Sequence, residues 1–510
     1  MRPLTPQARS DLTAAVSRWR DEELDDLIHI ERGRPGTLEL FLEPADEEEL
    51  AALVTALCTH GVSTTTIAGQ SGLVEAQRPH GVAIGMKRFQ TLGEVTLPDG
   101  TVVAADRLVE LAGREPGELR GATVRVGAGL SIDAINEALA PAGLKLPIVM
   151  GSTASATAGA CAANGSAGAN AVRYGTAAHL ARRVRGVLGT GEIVEQKVPM
   201  MPLQRGGDRC RIRSDRFSHG DLLVGSQGAL GLITEVVYEV VPVPRDQAVL
   251  LLPVPDVATA THLHAQIEDH FRDDGVGVEL FEIMRHQTLV KALEHAGKAL
   301  RDGLGEGPYY ALILLTSEAL PQPSDFGTAF LERLLTFVMG EAQDRRGGLP
   351  YAEGNVDFDH QPARLLEIRE ACSEMSRLLP KQSYDVVVPV GQLDTLVQRL
   401  EAAVAKAYPQ LELSVFGHGG VGALHVHVIA ESAQQLAAVQ PGMDTLVFDL
   451  VQELHGSPWA EHGVGSKWAA EWRKRTPVEV QQAMLSVKRR CDPDNVLGSR
   501  LFGFDQLLGG

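Results

Sequence analysis

The chain is poor in cysteine and pairs none of it by spacing. Cys58, Cys161, Cys210, Cys372 and Cys491 are odd in number and scattered, with no Cys-x-x-Cys. Neither a disulfide framework nor a thiolate zinc site is indicated, and a reducing cytosol is the simplest compartment. Basic stripes are also missing. Net charge is −18, and the one short basic cluster, Arg182, Arg183 and Arg185, reads as a solvated helix face. Nucleic acid is therefore not an expected partner, and an anionic membrane surface would repel the chain as a whole. No run is apolar enough to span a bilayer. The longest uncharged stretch, Leu146 to Val172, is built from Gly, Ala, Ser, Thr and Asn. Such a stretch lacks the hydrophobicity a membrane helix needs. Asp11, Asp21, Glu22 and Glu23 arrive without an apolar segment, so the N-terminus does not read as a signal peptide.

What is present is length and apolar content: 510 residues, 44% hydrophobic. Two or three domains are expected. Residues 1–34 read as a polar helical segment outside the main core. Thr37–Leu42 reads as a strand. A helix opens after Pro44 and Asp46, carries Leu50, Leu53, Val54 and Leu57 on one face, and stops at Gly61. Val62–Ile67 is β-branched and ends in the loop Gly69-Gln70-Ser71-Gly72. Further strands are expected at Thr123–Val126, Arg183–Leu188 and Leu232–Val241, and Ser131 caps a helix between them. Pro242 and Pro244 mark a boundary near residue 245. Between 246 and 455, strands at Ala248–Val254, Tyr309–Leu315, Tyr384–Val388, Leu411–Val415 and Ala423–Ile429 alternate with helices. That is the pattern of an α+β domain with an antiparallel sheet. Residues 456–510 form a compact closing segment.

Three constellations carry chemistry. Gly417-His418-Gly419-Gly420-Val421-Gly422 matches Gly-x-Gly-x-x-Gly, but the residues after it alternate like a strand. A dinucleotide fingerprint needs a helix there to receive the pyrophosphate, so that reading is rejected. A better phosphate cradle comes from Gly69-Gln70-Ser71-Gly72, the run Gly151-Ser152 through Gly159, Asn164, Gly165, Ser166 and Gly168, and Gly225-Ser226-Gln227-Gly228. Glycine-rich backbone presents successive N–H groups to an anion without Cβ obstruction. A single such loop usually only turns the chain; several in one region are harder to dismiss. Second, His418, His425 and Glu461 are a ligand set suited to an open catalytic metal site, with His462 beside them as a candidate general base. Lone histidines are usually satisfied polar residues, and His427 shares the strand face of His425. Third, Arg369 offers a fork for a carboxylate, against the plain alternative of a solvated helix residue.

In this order the pieces resemble the FAD-binding oxidoreductases of the vanillyl-alcohol oxidase superfamily. Within it they resemble the branch of D-lactate, glycolate and D-2-hydroxyglutarate dehydrogenases, over roughly residues 35–500. The resemblance rests on Gly69-Gln70-Ser71-Gly72, Ala163-Asn164-Gly165, Arg173-Tyr174-Gly175, Gly225-Ser226-Gln227-Gly228 with Leu230-Gly231-Leu232-Ile233-Thr234, Gly417-His418 with His425, and Glu461-His462-Gly463. It implies a two-subdomain FAD-binding domain of the p-cresol methylhydroxylase type over 35–245, completed by 456–510, and an α+β cap over 246–455. It implies noncovalent FAD held by Gly69, Gln70, Ser71, Gly72, Gly151, Ser152, Gly159, Asn164, Ser166, Tyr174, Gly175, Gly228 and Ile233. It further implies a divalent metal, zinc or manganese, on His418, His425 and Glu461, with His462 as base and Arg369 on the substrate carboxylate. The implied partners are a small hydroxy acid and an electron acceptor (a quinone, an electron-transfer flavoprotein or a dye-like acceptor), with a homodimer as one assembly. The implied setting is cytoplasmic, with at most loose membrane association. The chain departs from the branch in four places. Val421-Gly422-Ala423 stands for the usual Asp-Gly-Asn, Ser383-Tyr384-Asp385 for Lys-Tyr-Asp, with Lys381 a candidate substitute, Gly498-Ser499 for Asn-Pro, and Gln227 for the common Glu. A metal-free alcohol oxidase, a flavin-free metallohydrolase and a relative with a degenerate substrate site remain as alternatives.

Overall fold

The computed structural model describes residues 4–29, 34–198, 222–271, 275–300, 304–318, 332–338, 357–359, 363–375 and 380–508. Cys210 lies outside them. Three principal sheets organise the chain. In the first, Thr37–Leu42, His80–Gly85 and Thr64–Ile67 run parallel, with the short strand Trp19–Arg20 added antiparallel at the edge. The helix Glu47–His60 connects two of them. Asp46 caps it by accepting from the Glu49 N–H, Glu47, Glu48 and Glu49 complement its N-terminal dipole, and Gly61 closes it at φ 60°. Leu50, Leu53, Val54 and Leu57 are its buried face.

The second sheet is antiparallel, ordered Ile193–Lys197, Ala181–Leu188, Gly231–Glu239, Thr123–Gly127, Leu92–Thr96, Val102–Val103. Both sheets share one apolar core, which also takes in Cys491, Val496 and Leu497 from the far end of the chain. The third sheet is the α+β unit expected from the alternating elements. Its seven strands are antiparallel, ordered Asp357–Asp359, Asp246–Val254, Tyr309–Ser317, Val276–Arg285, Glu412–Gly417, Ala423–Ile429, Lys381–Val387. One face packs on the helices Val257–His270, Leu393–Ala407 and Ala433–Glu453. The other meets the helices His286–His295 and Ala363–Met375.

Two expectations are corrected. The N-terminal segment is not outside the core: Leu12 is fully buried and Val16 nearly so, because the short helix Pro6–Ala14 lies against Glu47–His60. Arg182, Arg183 and Arg185 sit on a strand rather than a helix face, and each meets a carboxylate, Glu239, Glu195 and Glu47 respectively. The strands His80–Gly85, Leu92–Thr96 and Val276–Arg285 were not expected from the sequence. The last is the centre of the third sheet. It is covered on both faces, so its residues show no polar–apolar alternation to reveal it.

The C-terminal helix Val478–Cys491 is locked down by one buried ion. Lys488 and Asp492 are both fully buried. Lys488 Nζ donates to the carbonyls of Ala229 and Leu497, each at 2.7 Å, and to the Asp492 carboxylate. Asp492 in turn accepts from the N–H groups of Val496, 3.0 Å, and Leu497, 2.9 Å. All three ammonium protons are therefore placed, and the lysine ties this segment to the Gly225–Gly231 loop. Lys488→Met should leave Asp492 charged and without its cation, a loss of about 3–5 kcal/mol. Circular-dichroism melting should show the midpoint falling by roughly 5 °C or more; a midpoint equal to the parent's would contradict the lock.

Candidate active site

Two cavities adjoin, one inside the glycine-rich half and one between it and the third sheet. The narrower, about 100 Å³, is walled by Gly69, Gln70, Ser71, Gly72, Gly159, Asn164, Gly228 and Ile233. The wider, about 490 Å³, is walled by Gly151, Ser152 and Ser166 on one side and by Arg369, His418, His425, Glu461 and His462 on the other. Ser71, Gly72, Ala160 and Asn164 belong to both walls, so the two spaces meet. Gly69 can only be glycine, since a Cβ there would lie 1.8 Å from the Ser155 carbonyl oxygen. Gln77 steadies the loop by donating from Nε2 to the Gly72 carbonyl at 2.6 Å. Thr66 and Thr157 also line the narrower cavity, and neither hydroxyl has a hydrogen-bond partner among the described residues. Buried hydroxyls are rarely left so, and a bound polar ligand such as a pyrophosphate would satisfy them.

Tyr174 and Gly175 line neither of these cavities. The Tyr174 hydroxyl lies 3.4 Å from Glu279, a buried carboxylate of the third sheet that also accepts from Lys145 at 2.6 Å, Asn170 at 2.8 Å and Thr316 at 3.0 Å. Arg173 reaches Glu318 and the Thr316 hydroxyl nearby. The Arg173-Tyr174-Gly175 motif thus joins the two halves of the molecule.

The histidine constellation converges. His418 follows the strand Glu412–Gly417, His425 lies on Ala423–Ile429, and the turn between them brings their rings to 5.5 Å. Their Nε2 atoms lie 3.1 and 3.4 Å from one oxygen, Glu461 Oε1. Their Nδ1 atoms face outward to other carboxylates: His418 to Glu282 at 2.8 Å, His425 to Asp385 at 3.3 Å. In the tautomers that place the Nδ1 protons beside those carboxylates, two imidazole lone pairs and a carboxylate oxygen meet at one point. Their ligand atoms lie within 4.8 Å of one another, and Glu461 Oε1 has no well-formed hydrogen bond. Such a meeting is repulsive unless a cation stands in it, so the donor set fits a divalent ion. Without one, a proton takes the place. Burial alone would depress the His418 pKa, but Glu282 and Glu461 outweigh it and push it up to about 10. Glu282, which burial would raise, is carried down to about 2 by His418 and Arg369.

Asp385 organises the remainder. Its Oδ2 accepts from the backbone N–H groups of Glu461 and His462, both at 2.8 Å, and lies 3.5 Å from His462 Nδ1. Burial is outweighed by His462, His425 and those N–H groups, and the carboxyl stays well below its ordinary range. The rings of His425 and His462 stack at 5.5 Å. On the other side, Gln227 accepts from the Gly465 N–H at 2.9 Å, and its amide occupies the space a side chain at position 463 would need. The segment 461–465 is therefore strung between the glycine-rich half and the third sheet. Arg369 is not a solvated helix residue: its Nε donates to Glu282 Oε1 at 2.9 Å and its side chain lines the wider cavity. Lys381, Ser383 and His427 line the same cavity. Sequence reading missed Glu282 altogether and saw in Asp385 only part of a motif. Spacing could not have found Glu282, since its partners lie 87 and 136 positions away.

Residues 38–197 match the family described as FAD binding domain, and residues 243–500 match FAD linked oxidases, C-terminal domain. The chain is similar to a D-2-hydroxyglutarate dehydrogenase of Xanthomonas citri pv. viticola, 26% identical over 90% of this chain and 93% of the relative. It is similar also to a D-lactate dehydrogenase of Anaerostipes hadrus, 24% identical over 94% and 92% respectively. Among solved structures, p-cresol methylhydroxylase with bound substrate shares the fold, with TM-score 0.68 at 11% identity, covering 98% of this chain and 96% of that one. No described helix is long and apolar enough to cross a membrane. The second match alone spans half of the chain, and with the two-part cavity and its glycine cradle it makes this protein a member of the FAD-linked oxidases, an FAD-dependent oxidoreductase.

Proposed function

We propose that the protein is a dehydrogenase that oxidises a D-2-hydroxy acid, of the lactate or 2-hydroxyglutarate type, to the 2-oxo acid. The observation that carries this reading is the meeting of five side chains on one cavity wall: Arg369, His418, His425, Glu461 and His462. FAD, when bound, supplies the hydride acceptor, with the glycine-rich walls of both cavities as its seat. A divalent ion on His418, His425 and Glu461 supplies Lewis acidity toward the substrate hydroxyl. Arg369 binds the substrate carboxylate and so fixes which face of the carbinol carbon is presented. His462 takes the hydroxyl proton. Asp385 beside its Nδ1 stabilises the imidazolium that results, as an orienting carboxylate does for a general base. The named relatives support the substrate class. The reoxidising partner is proposed as a quinone or an electron-transfer flavoprotein. A cytoplasmic setting, a homodimer and an FAD unit made of residues 35–245 with 456–505 belong to the same reading.

Anaerobic mixing with a panel of D- and L-2-hydroxy acids tests it. At least one D-acid should bleach the 450-nm-region flavin band within the range of enzymatic turnover, roughly 1–10³ s⁻¹, while its L-enantiomer leaves the band intact. Reduction by neither series would rule the reading out. His462→Ala should keep the flavin and slow its reduction by about 10²–10⁴-fold; a parental rate would remove His462 from the base role. Stripping with a chelator should abolish reduction by the active acid, and zinc or manganese should restore it. Full activity in the stripped protein would favour a metal-free alcohol oxidase instead.

A further inference from the structure

Glu282 stands on the central strand of the third sheet, between Leu280 and Met284 on the same face. Its neighbours there are apolar: Leu280, Met284, Ile368, Cys372 and Phe416 form one buried cluster. A carboxylate at 1% exposure among such residues is costly unless ionic partners meet it. Two do, and on the same atom. Glu282 Oε1 is 2.9 Å from Arg369 Nε, which donates to it, and 2.8 Å from His418 Nδ1. One partner arrives from the helix Ala363–Met375, the other from the turn after Glu412–Gly417. No other contact of comparable distance joins Arg369 to the histidine cluster among the described residues.

We infer that Glu282 is a positioning residue that holds both halves of the substrate site through a single oxygen: it turns His418 Nε2 toward the cation position and sets the Arg369 fork at the carboxylate position. This rests on the reading given above for the site. An imidazole that gives its Nδ1 proton to a carboxylate presents its Nε2 lone pair in one direction and gains basicity as a ligand. A guanidinium anchored at Nε keeps its outer nitrogens in a fixed plane, which is what two-point binding of a carboxylate requires. Because the anchor is shared, a displacement of either partner shifts the other. The fixed spacing between cation and fork then selects acids whose hydroxyl and carboxylate sit on adjacent carbons.

The experiment uses Glu282→Gln and Glu282→Asp in the full-length flavoprotein, with zinc and oxalate as probes. Zinc affinity is read by competition with a chromogenic chelator. Oxalate affinity is read in metal-stripped protein from the perturbation of the flavin spectrum, so that it reports the Arg369 fork without the cation. Glu282→Gln should weaken zinc by about 10–100-fold and oxalate by about tenfold, with FAD content near the parent's and a lowered melting midpoint, since Arg369 loses its buried counter-charge. Glu282→Asp retains the charge but falls short by one methylene, so it should lose one affinity more than the other. Parental affinity for both probes in Glu282→Gln would overturn the inference. So would loss of zinc affinity alone in both variants, which would make Glu282 a partner of His418 only. If Glu282→Gln does not retain FAD, Glu282→Asp decides by the same two readings. A parent that binds oxalate but not zinc would sink the metal reading and, with it, the shared anchor.

Discussion

The segment 461–462 and the imidazoles of His425 and His462 hang on one buried carboxylate, that of Asp385. Two backbone N–H groups of the segment 461–462 end on its Oδ2, and the Nδ1 atoms of His425 and His462 face it. The strand Lys381–Val387 belongs to the third sheet, while Glu461 and His462 come from the segment that returns to the glycine-rich half. An apolar residue at position 385 would leave those two N–H groups without acceptors and the histidines without an orienting charge. The geometry of the histidine cluster is thus set by where one strand of the third sheet places its carboxylate.

The same logic recurs through the interior. Glu279, Glu282, Asp385 and Asp492 are all buried; the first three collect donors from distant parts of the chain, and Asp492 holds Lys488, which reaches the distant Ala229 carbonyl. Glu279 gathers Lys145, Asn170 and Thr316, and so joins the halves. Asp492 and Lys488 fasten the C-terminal helix beneath the Ala229 carbonyl. Such ions contribute little net stability against apolar replacements, but they punish any arrangement that separates the partners. In this molecule that penalty falls on the domain seams, where apolar packing alone would tolerate sliding.

The legible parts of the fold are those whose signal is local. Glu47–His60 shows its cap, its apolar stripe and its glycine stop within one local stretch, Asp46 to Gly61. The edge-ward strands of the third sheet, such as Ala423–Ile429, alternate visibly. The glycine loops announce close backbone approach because little else tolerates it, as the Ser155 carbonyl against Gly69 shows. His418, His425, Glu461 and His462 were readable as types in an order. Val276–Arg285 was not readable, since a strand covered on both faces has no period to detect, and its glutamates look like solvated charges until their partners are in place.

By itself, then, the amino-acid sequence determined the residue types that can cradle a flavin and bind a metal, the α+β alternation of the second half, and the helices with complete caps. Only the tertiary structure decided what those residues face. It turned Tyr174 toward Glu279 and away from the cavities, paired Arg182, Arg183 and Arg185 with carboxylates on neighbouring elements, and drew Leu12 into the core. It brought Glu282 within reach of Arg369 and His418 at once. The physical reason is range. Periodicity, caps and glycine turns act over a few residues and leave their mark in the chain, whereas a buried charge is defined by partners that only the finished fold brings near.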